Sequence, residues 1–242
     1  VSDNTLSNIF TFANQLDLPI HMHLHETCEE IASSIDDFGI RPIERLQKLN
    51  LLGPNLIAVH MVHLTNEEIN LLKVHNCNVI HCPSSNMKLA SGIAPIVDLV
   101  NQSINVAIGT DGAASNNRLD MFEEMRLTAL LGKVTRGAQA LPTHQILQMA
   151  TLNGAIALGI EKQTGSLTVG KAADITAIDF SDLSLTPCFN PLSHLIYVAS
   201  REHVSHVWVN GRLLLNQGEL VTLNEAELIE CSQYWQNRIT SK

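Results

Sequence analysis

Between residues 18 and 112 the chain alternates four times between a short apolar strand and a helical stretch. That pattern constrains the fold more than any single motif in the sequence. Parallel strands need a long crossover, and a helix is the usual way to fill it. The expected strands are 18–26, 55–64, 78–82 and 105–112. The run Leu56-Ile57-Ala58-Val59-His60-Met61-Val62 reads as a strand covered on both faces. Before the first strand, Leu6, Ile9, Phe10, Ala13 and Leu16 recur at helical spacing. Further helices are expected at 28–38, at 43–49 behind Pro42, from the capping-box-like Thr65-Asn66-Glu67-Glu68 through 75, and at 93–101. Residues 83–86 are expected as a loop. The alternation fits a doubly wound sheet or a barrel, and both gather ligands and catalytic groups at the carboxyl ends of their strands.

The polar residues of these strands sit at those ends. The first strand contains His21-Met22-His23-Leu24-His25-Glu26. Period two puts His21, His23 and His25 on one face, an arrangement a packed apolar core would not select. Histidine and glutamate at a strand end are residue types for metal binding and proton transfer. The second strand adds His60 and the fourth adds Asp111. Histidines with one aspartate suit a borderline divalent ion such as zinc, with one position left for water. Glu26 stands three residues past His23, so it can overhang the site without ligating and move a proton. His60 has two readings, ligand or holder of the attacking hydroxide. Ser85 and Asn86, behind the third strand, are candidate substrate contacts, and turn formation competes with that role. His21 and His25 read as supporting residues. Local alternatives fail: H-E-x-x-H would need a histidine where Glu29 stands, and no P-C-x-x-C, G-x-S-x-G, P-loop or G-x-G-x-x-G occurs.

Behind residue 112 helices are expected at 120–131 and 142–157, and then the grammar changes. Residues 165–178 read as two short strands around a glycine turn. Asn210-Gly211 between two apolar runs is a strong hairpin signal. Residues 224–239 read as an amphipathic helix. The expected division is therefore 1–160, a βα part; 161–222, a small antiparallel part; and 223–242, a closing helix. A net charge of -9 without a basic patch excludes nucleic acid as a natural partner. Five cysteines with no C-x-x-C pair fit reduced thiols in a cytoplasm, and no apolar run is long enough to span a membrane. The first residues already read as a helix leading into a strand, so the sequence is expected to start within a fold.

Four ordered segments carry a resemblance. They are His23-Leu24-His25-Glu26-Thr27, Ala58-Val59-His60-Met61-Val62-His63-Leu64, His81-Cys82-Pro83-Ser84-Ser85-Asn86-Met87-Lys88-Leu89-Ala90-Ser91-Gly92, and Gly109-Thr110-Asp111-Gly112-Ala113-Ala114-Ser115-Asn116-Asn117. Together they resemble the amidohydrolase superfamily, and within it the methylthioadenosine/S-adenosylhomocysteine deaminases, beside the triazine hydrolases. The resemblance implies an α/β fold: the C-terminal half of a (β/α)8 metal-dependent hydrolase barrel, strands five to eight, then part of a small β-sandwich and a C-terminal helix. It implies one divalent metal, zinc first, with Fe2+, Mn2+ and Ni2+ admitted. By motif, His23 looks like the strand-five ligand, and Asp111 like the strand-eight ligand that also accepts a proton and meets the substrate. Glu26 looks like the proton shuttle that also contacts the purine, and His60 like the residue that orients hydroxide. The implied reaction adds metal-bound hydroxide to purine C6 of an adenosine derivative and releases ammonia. A triazine chlorohydrolase, a guanine deaminase or an inactive fragment are the alternatives. The implied partners are a small purine nucleoside, a further copy of the same protein in a homo-oligomer, and an N-terminal half carrying an H-x-H metal pair. His21-Met22-His23 has that pair's spacing but stands in the strand-five context.

Overall fold

The structure, a computed structural model, describes residues 1–241. It opens with α1 (Asp3–Leu16), capped by the Ser2 side chain, with Leu6, Phe10 and Ala13 buried. Strands β1 (Ile20–Leu24), β2 (Leu56–His60), β3 (Asn78–His81) and β4 (Asn105–Ile108) form one sheet, all pairs parallel, in the order β1-β2-β3-β4. Helices α2 (Cys28–Phe38) and α3 (Pro42–Lys48) connect β1 to β2, α4 (Asn66–Val74) connects β2 to β3, and α5 (Pro83–Lys88) and α6 (Ile96–Asn101) connect β3 to β4. The order never reverses, so these strands form no switch-point crevice of the doubly wound kind. It is the order of barrel strands.

Local chemistry explains the element ends. Thr27 caps α2 and Gly39, at φ 72°, ends it. Thr65 and Glu68 close a reciprocal capping box on α4. The core lies between sheet and helices, with Ile43, Leu46, Leu56, Leu72, Val79, Leu99, Ile146 and Met149 all buried in it. Every residue of β2 is buried, as its apolar run predicts. Cys77 and Cys82 lie in this interior, where burial pushes their thiols up to about 11 and about 12. They are inert at neutral pH.

Behind β4 come α7 (Met121–Arg136), α8 (Thr143–Met149) and α9 (Leu152–Ala157). A second sheet follows, with β5 (Ile175–Ile178), β6 (Val204–Val209), β7 (Arg212–Asn216) and β8 (Glu219–Leu220) antiparallel in sequence order. Asn210 and Gly211, at φ 49° and 76°, make the β6–β7 turn, the doubly left-handed form expected of that dipeptide. Between β5 and β6, α10 (Pro191–Tyr197) packs on α7 and α8 and buries Ile196. The chain closes with α11 (Glu225–Thr240), none of whose described residues is buried. No helix among the described residues is long and apolar enough to cross a membrane.

Several expectations need correction. Residues 83–86 are not a loop: Pro83 starts α5 at a position where its missing N–H costs nothing. The helix expected at 93–101 starts at Ile96, behind Pro95. The one expected at 142–157 is two, α8 and α9, divided at Ala150 and Thr151. Residues 165–178 supply one strand, because the glycine-rich start is spent on turns rather than on a ladder. The helix α10 was not read from the sequence.

Candidate metal and catalytic site

Three strands end early, and those ends build the site. Strand β1 stops at Leu24 because His25 turns left-handed, at φ 54°. His60, the last residue of β2, at φ 75°, and Asp111, three residues past β4, at φ 60°, bend the chain in the same way. Such conformations cost non-glycine residues about 1–3 kcal/mol each and persist where surrounding contacts overdetermine them. They take Glu26, His60 and Asp111 out of strand geometry. The β1–β2 register sets His23 beside Val59 and Leu24 beside His60.

The four candidate residues converge. His60 Nε2 lies 3.6 Å from Glu26 Oε2 and 4.0 Å from Asp111 Oδ2. His23 Nε2 is 3.6 Å from Asp111 Oδ1, and its Nδ1 is 3.9 Å from Glu26 Oε2. The two imidazoles meet edge to face with centroids 4.5 Å apart. One donor atom each from His23, Glu26 and His60 lies within 4.8 Å of the others, the one such trio among the described residues. Asp111 borders it through both histidines.

His60 is wholly buried, and its Nδ1 lies 2.8 Å from Asn86 Oδ1. An amide oxygen accepts only, so Nδ1 is assigned the proton and Nε2 a lone pair. That Nε2 is buried and has no hydrogen-bond partner among the described residues. A lone pair facing two carboxylates at these distances lacks positive charge between them. This donor set, imidazole nitrogens with carboxylate oxygens, fits a divalent cation such as zinc.

Asp111 is prepared for the anionic state. Its Oδ2 accepts hydrogen bonds from Ser85 Oγ and Ser115 Oγ, both at 2.7 Å. Burial pushes its carboxyl up, but the bonds from Ser115, Ser85 and the Gly112 backbone outweigh that and hold it at about 2. Ser85 and Asn86 are themselves buried, and their bonding groups serve Asp111 and His60. Ser115 was not singled out in the sequence, although it stands four residues past Asp111 in a turn where that reach is natural.

The other histidines separate by contact. His25 does not share the face of His21 and His23. It is wholly buried, its Nδ1 donates to the His63 carbonyl at 3.0 Å, and its Nε2 accepts the Ile43 N–H at 3.1 Å. Burial lowers its pKa and keeps it neutral. Arg41 grips Glu68 with two bonds of 2.7 and 2.9 Å and donates to the same His63 carbonyl at 2.6 Å. His81 is buried at the end of β3, and burial, with His60 nearby, pushes it down to about 3. His21 is exposed on the face that carries His23.

The family model for the amidohydrolase family matches residues 1–214. The chain belongs to the amidohydrolase family. This amidohydrolase chain is 48% identical over its whole length to a 5-methylthioadenosine/S-adenosylhomocysteine deaminase of Teredinibacter turnerae and covers 55% of that protein. It is 44% identical to a 5'-deoxyadenosine deaminase of Methanothermobacter thermautotrophicus, over 96% of the chain and 54% of the relative. It thus spans about half the length of the curated relatives it matches. Among solved structures, an adenosine deaminase from Xanthomonas campestris with bound zinc superposes with a TM-score of 0.98 at 46% identity, covering all of this chain and 55% of that one. The zinc complex of atrazine chlorohydrolase from Arthrobacter aurescens superposes at 0.91 with 24% identity, over 96% of this chain and 52% of that one, and shares the fold.

Proposed function

We propose that the protein containing this chain is a metal-dependent deaminase of an adenosine derivative, of the 5'-methylthioadenosine or S-adenosylhomocysteine type. The observation that carries the reading is the buried, unpartnered His60 Nε2 aimed between the carboxylates of Glu26 and Asp111, with His23 closing the group. Relatives at 48% and 44% identity named for deamination of 5'-substituted adenosines support the substrate class. The bound zinc of the similar Xanthomonas structure supports the choice of metal.

In this reading His23 and Asp111 would hold the metal, with His60 beside them, and further ligands would come from protein outside these residues. The metal supplies a water whose pKa is lowered toward neutrality. Asp111, whose carboxyl is held at about 2, would be the ionised acceptor for a proton released at that position. Asn86 keeps the Nδ1–H of His60 engaged, so the Nε2 lone pair faces the reacting position. Both protons come from the attacking water: Glu26 would pass one to the purine ring, and the one taken up by Asp111 would go to the departing amino group, which leaves as ammonia. Its carboxylate also receives the Ser91 hydroxyl at 3.4 Å.

The test is Glu26→Gln in the intact protein, with loss of the adenine absorbance band as readout. Removing a general acid–base is expected to lower turnover by about 10²–10⁴-fold. Near-wild-type turnover would defeat the assignment. Guanine and an s-triazine in the same panel decide the substrate class, since turnover of either in place of adenosines redirects the reading within the family.

A further inference from the structure

Thr27 caps helix α2, and its hydroxyl accepts the Glu30 N–H at 3.1 Å. In an ordinary capping box the glutamate at this position would return to the N–H of the capping residue itself. Glu30 reaches further back. Its Oε1 accepts the His25 N–H at 2.9 Å and its Oε2 accepts the Glu26 N–H at 2.7 Å. One carboxylate thus takes two consecutive amides at the point where the chain leaves β1. His25 is left-handed there, so the turn is strained and needs support. Hydrogen bonds from backbone amides to an ionised carboxylate are among the stronger ones available.

Other contacts hold the residues around this turn. The Leu24 and His25 carbonyls accept from Met61, Val62 and His63, and the His25 ring is fastened at both nitrogens. Among the described residues, Glu26 makes the amide bond to Glu30 and the 3.4 Å contact from Ser91. The backbone of the proposed proton carrier therefore hangs on Glu30.

We propose that Glu30 is the positioning residue for Glu26: by holding the His25 and Glu26 amides it fixes the turn that brings the Glu26 carboxylate 3.6 Å from His60. The consequence for catalysis rests on the deaminase reading above, and the clamp itself does not. Misplacing a catalytic group by about 1 Å costs on the order of a hundredfold in rate.

The test compares Glu30→Gln with Thr27→Ala in the intact, metal-loaded protein. Thr27→Ala removes the α2 cap but leaves the Glu30 carboxylate. E30Q keeps the size of the side chain and loses one of its two acceptor oxygens. Both variants are expected to lower Tm. E30Q alone is expected to lower kcat, by about tenfold to a hundredfold, with KM changed less than about threefold. Hydrogen exchange at the Glu26 amide is expected to quicken in E30Q and not in T27A. Wild-type kcat in E30Q, or equal kcat losses in the two variants, overturns the proposal. If the parent protein turns over no adenosine derivative, the deaminase reading fails. The exchange rate then decides the clamp, and unchanged protection of Glu26 in E30Q overturns it. If E30Q does not fold, Glu30→Asp, which keeps the charge and draws it back by one methylene, must show the same kcat loss and faster exchange. Full kcat in E30D overturns the proposal equally.

Discussion

Asp111 Oδ2 accepts two serine hydroxyls, one from α5 and one from its own turn. The pair offsets the cost of burying the charge, and that explains why the carboxyl stays low despite desolvation. Ser115→Ala removes one of them. Zinc affinity of the intact protein, measured by competition with a chelator, is expected to fall by about tenfold or more, as for other groups that support a metal ligand. An unchanged affinity would show that Ser85 alone holds the carboxylate. Residue-scale reading of the sequence went furthest where chemistry is scarce: His23, Glu26, His60 and Asp111 were picked by type and strand-end position, and the structure brings all four together. It failed at His25. Strict alternation assigned that ring to the face of His23, but the Ile43 amide and the His63 carbonyl recruit it to the opposite side. Those partners lie 18 and 38 residues away, beyond any local pattern.

Elements were legible where one periodicity ran unbroken. The buried strand β2, the capping box of α4 and the Asn210-Gly211 hairpin all follow from local sequence. Short helices did not. Helix α5 spans six residues, too few to show a period, yet it presents Ser85 to Asp111 and Asn86 to His60. Its start is tied to α7, where Glu124 accepts the Ser84 N–H at 3.1 Å and the Asn116 amide at 2.7 Å. Helix packing sets the stability of the βα part. Leu72 of α4 is wholly buried in the common core. Leu72→Ala is expected to destabilise the chain by about 2–5 kcal/mol, since a cavity forms as well as a transfer loss. A urea denaturation curve checks this, and a loss below about 1 kcal/mol would mean the site collapses freely.

For the whole molecule, buried neutral histidines couple stability to pH. Burial lowers the folded pKa of His25, and burial pushes His81 down to about 3. Unfolded histidines titrate near 6.5, so below that pH the unfolded chain binds more protons and stability falls. Each group contributes a slope of up to about 1.4 kcal/mol per pH unit between its unfolded and folded values. The urea midpoint is therefore expected to drop from pH 7.5 to pH 5, and a flat or rising midpoint would contradict the neutral assignment. The alternation of parallel strands with helices and the identity of the converging residues were determined by the sequence itself, through apolar periodicity and the placement of histidine, glutamate and aspartate at strand ends, whereas the strand order that makes the sheet barrel-like came from the structure. The tertiary structure decided how those ends bend. Left-handed turns at His25, His60 and Asp111 are not encoded by residue type, because distant partners such as Asn86, Ser85 and the Ile43 amide offset their strain only once the sheet and helices are packed.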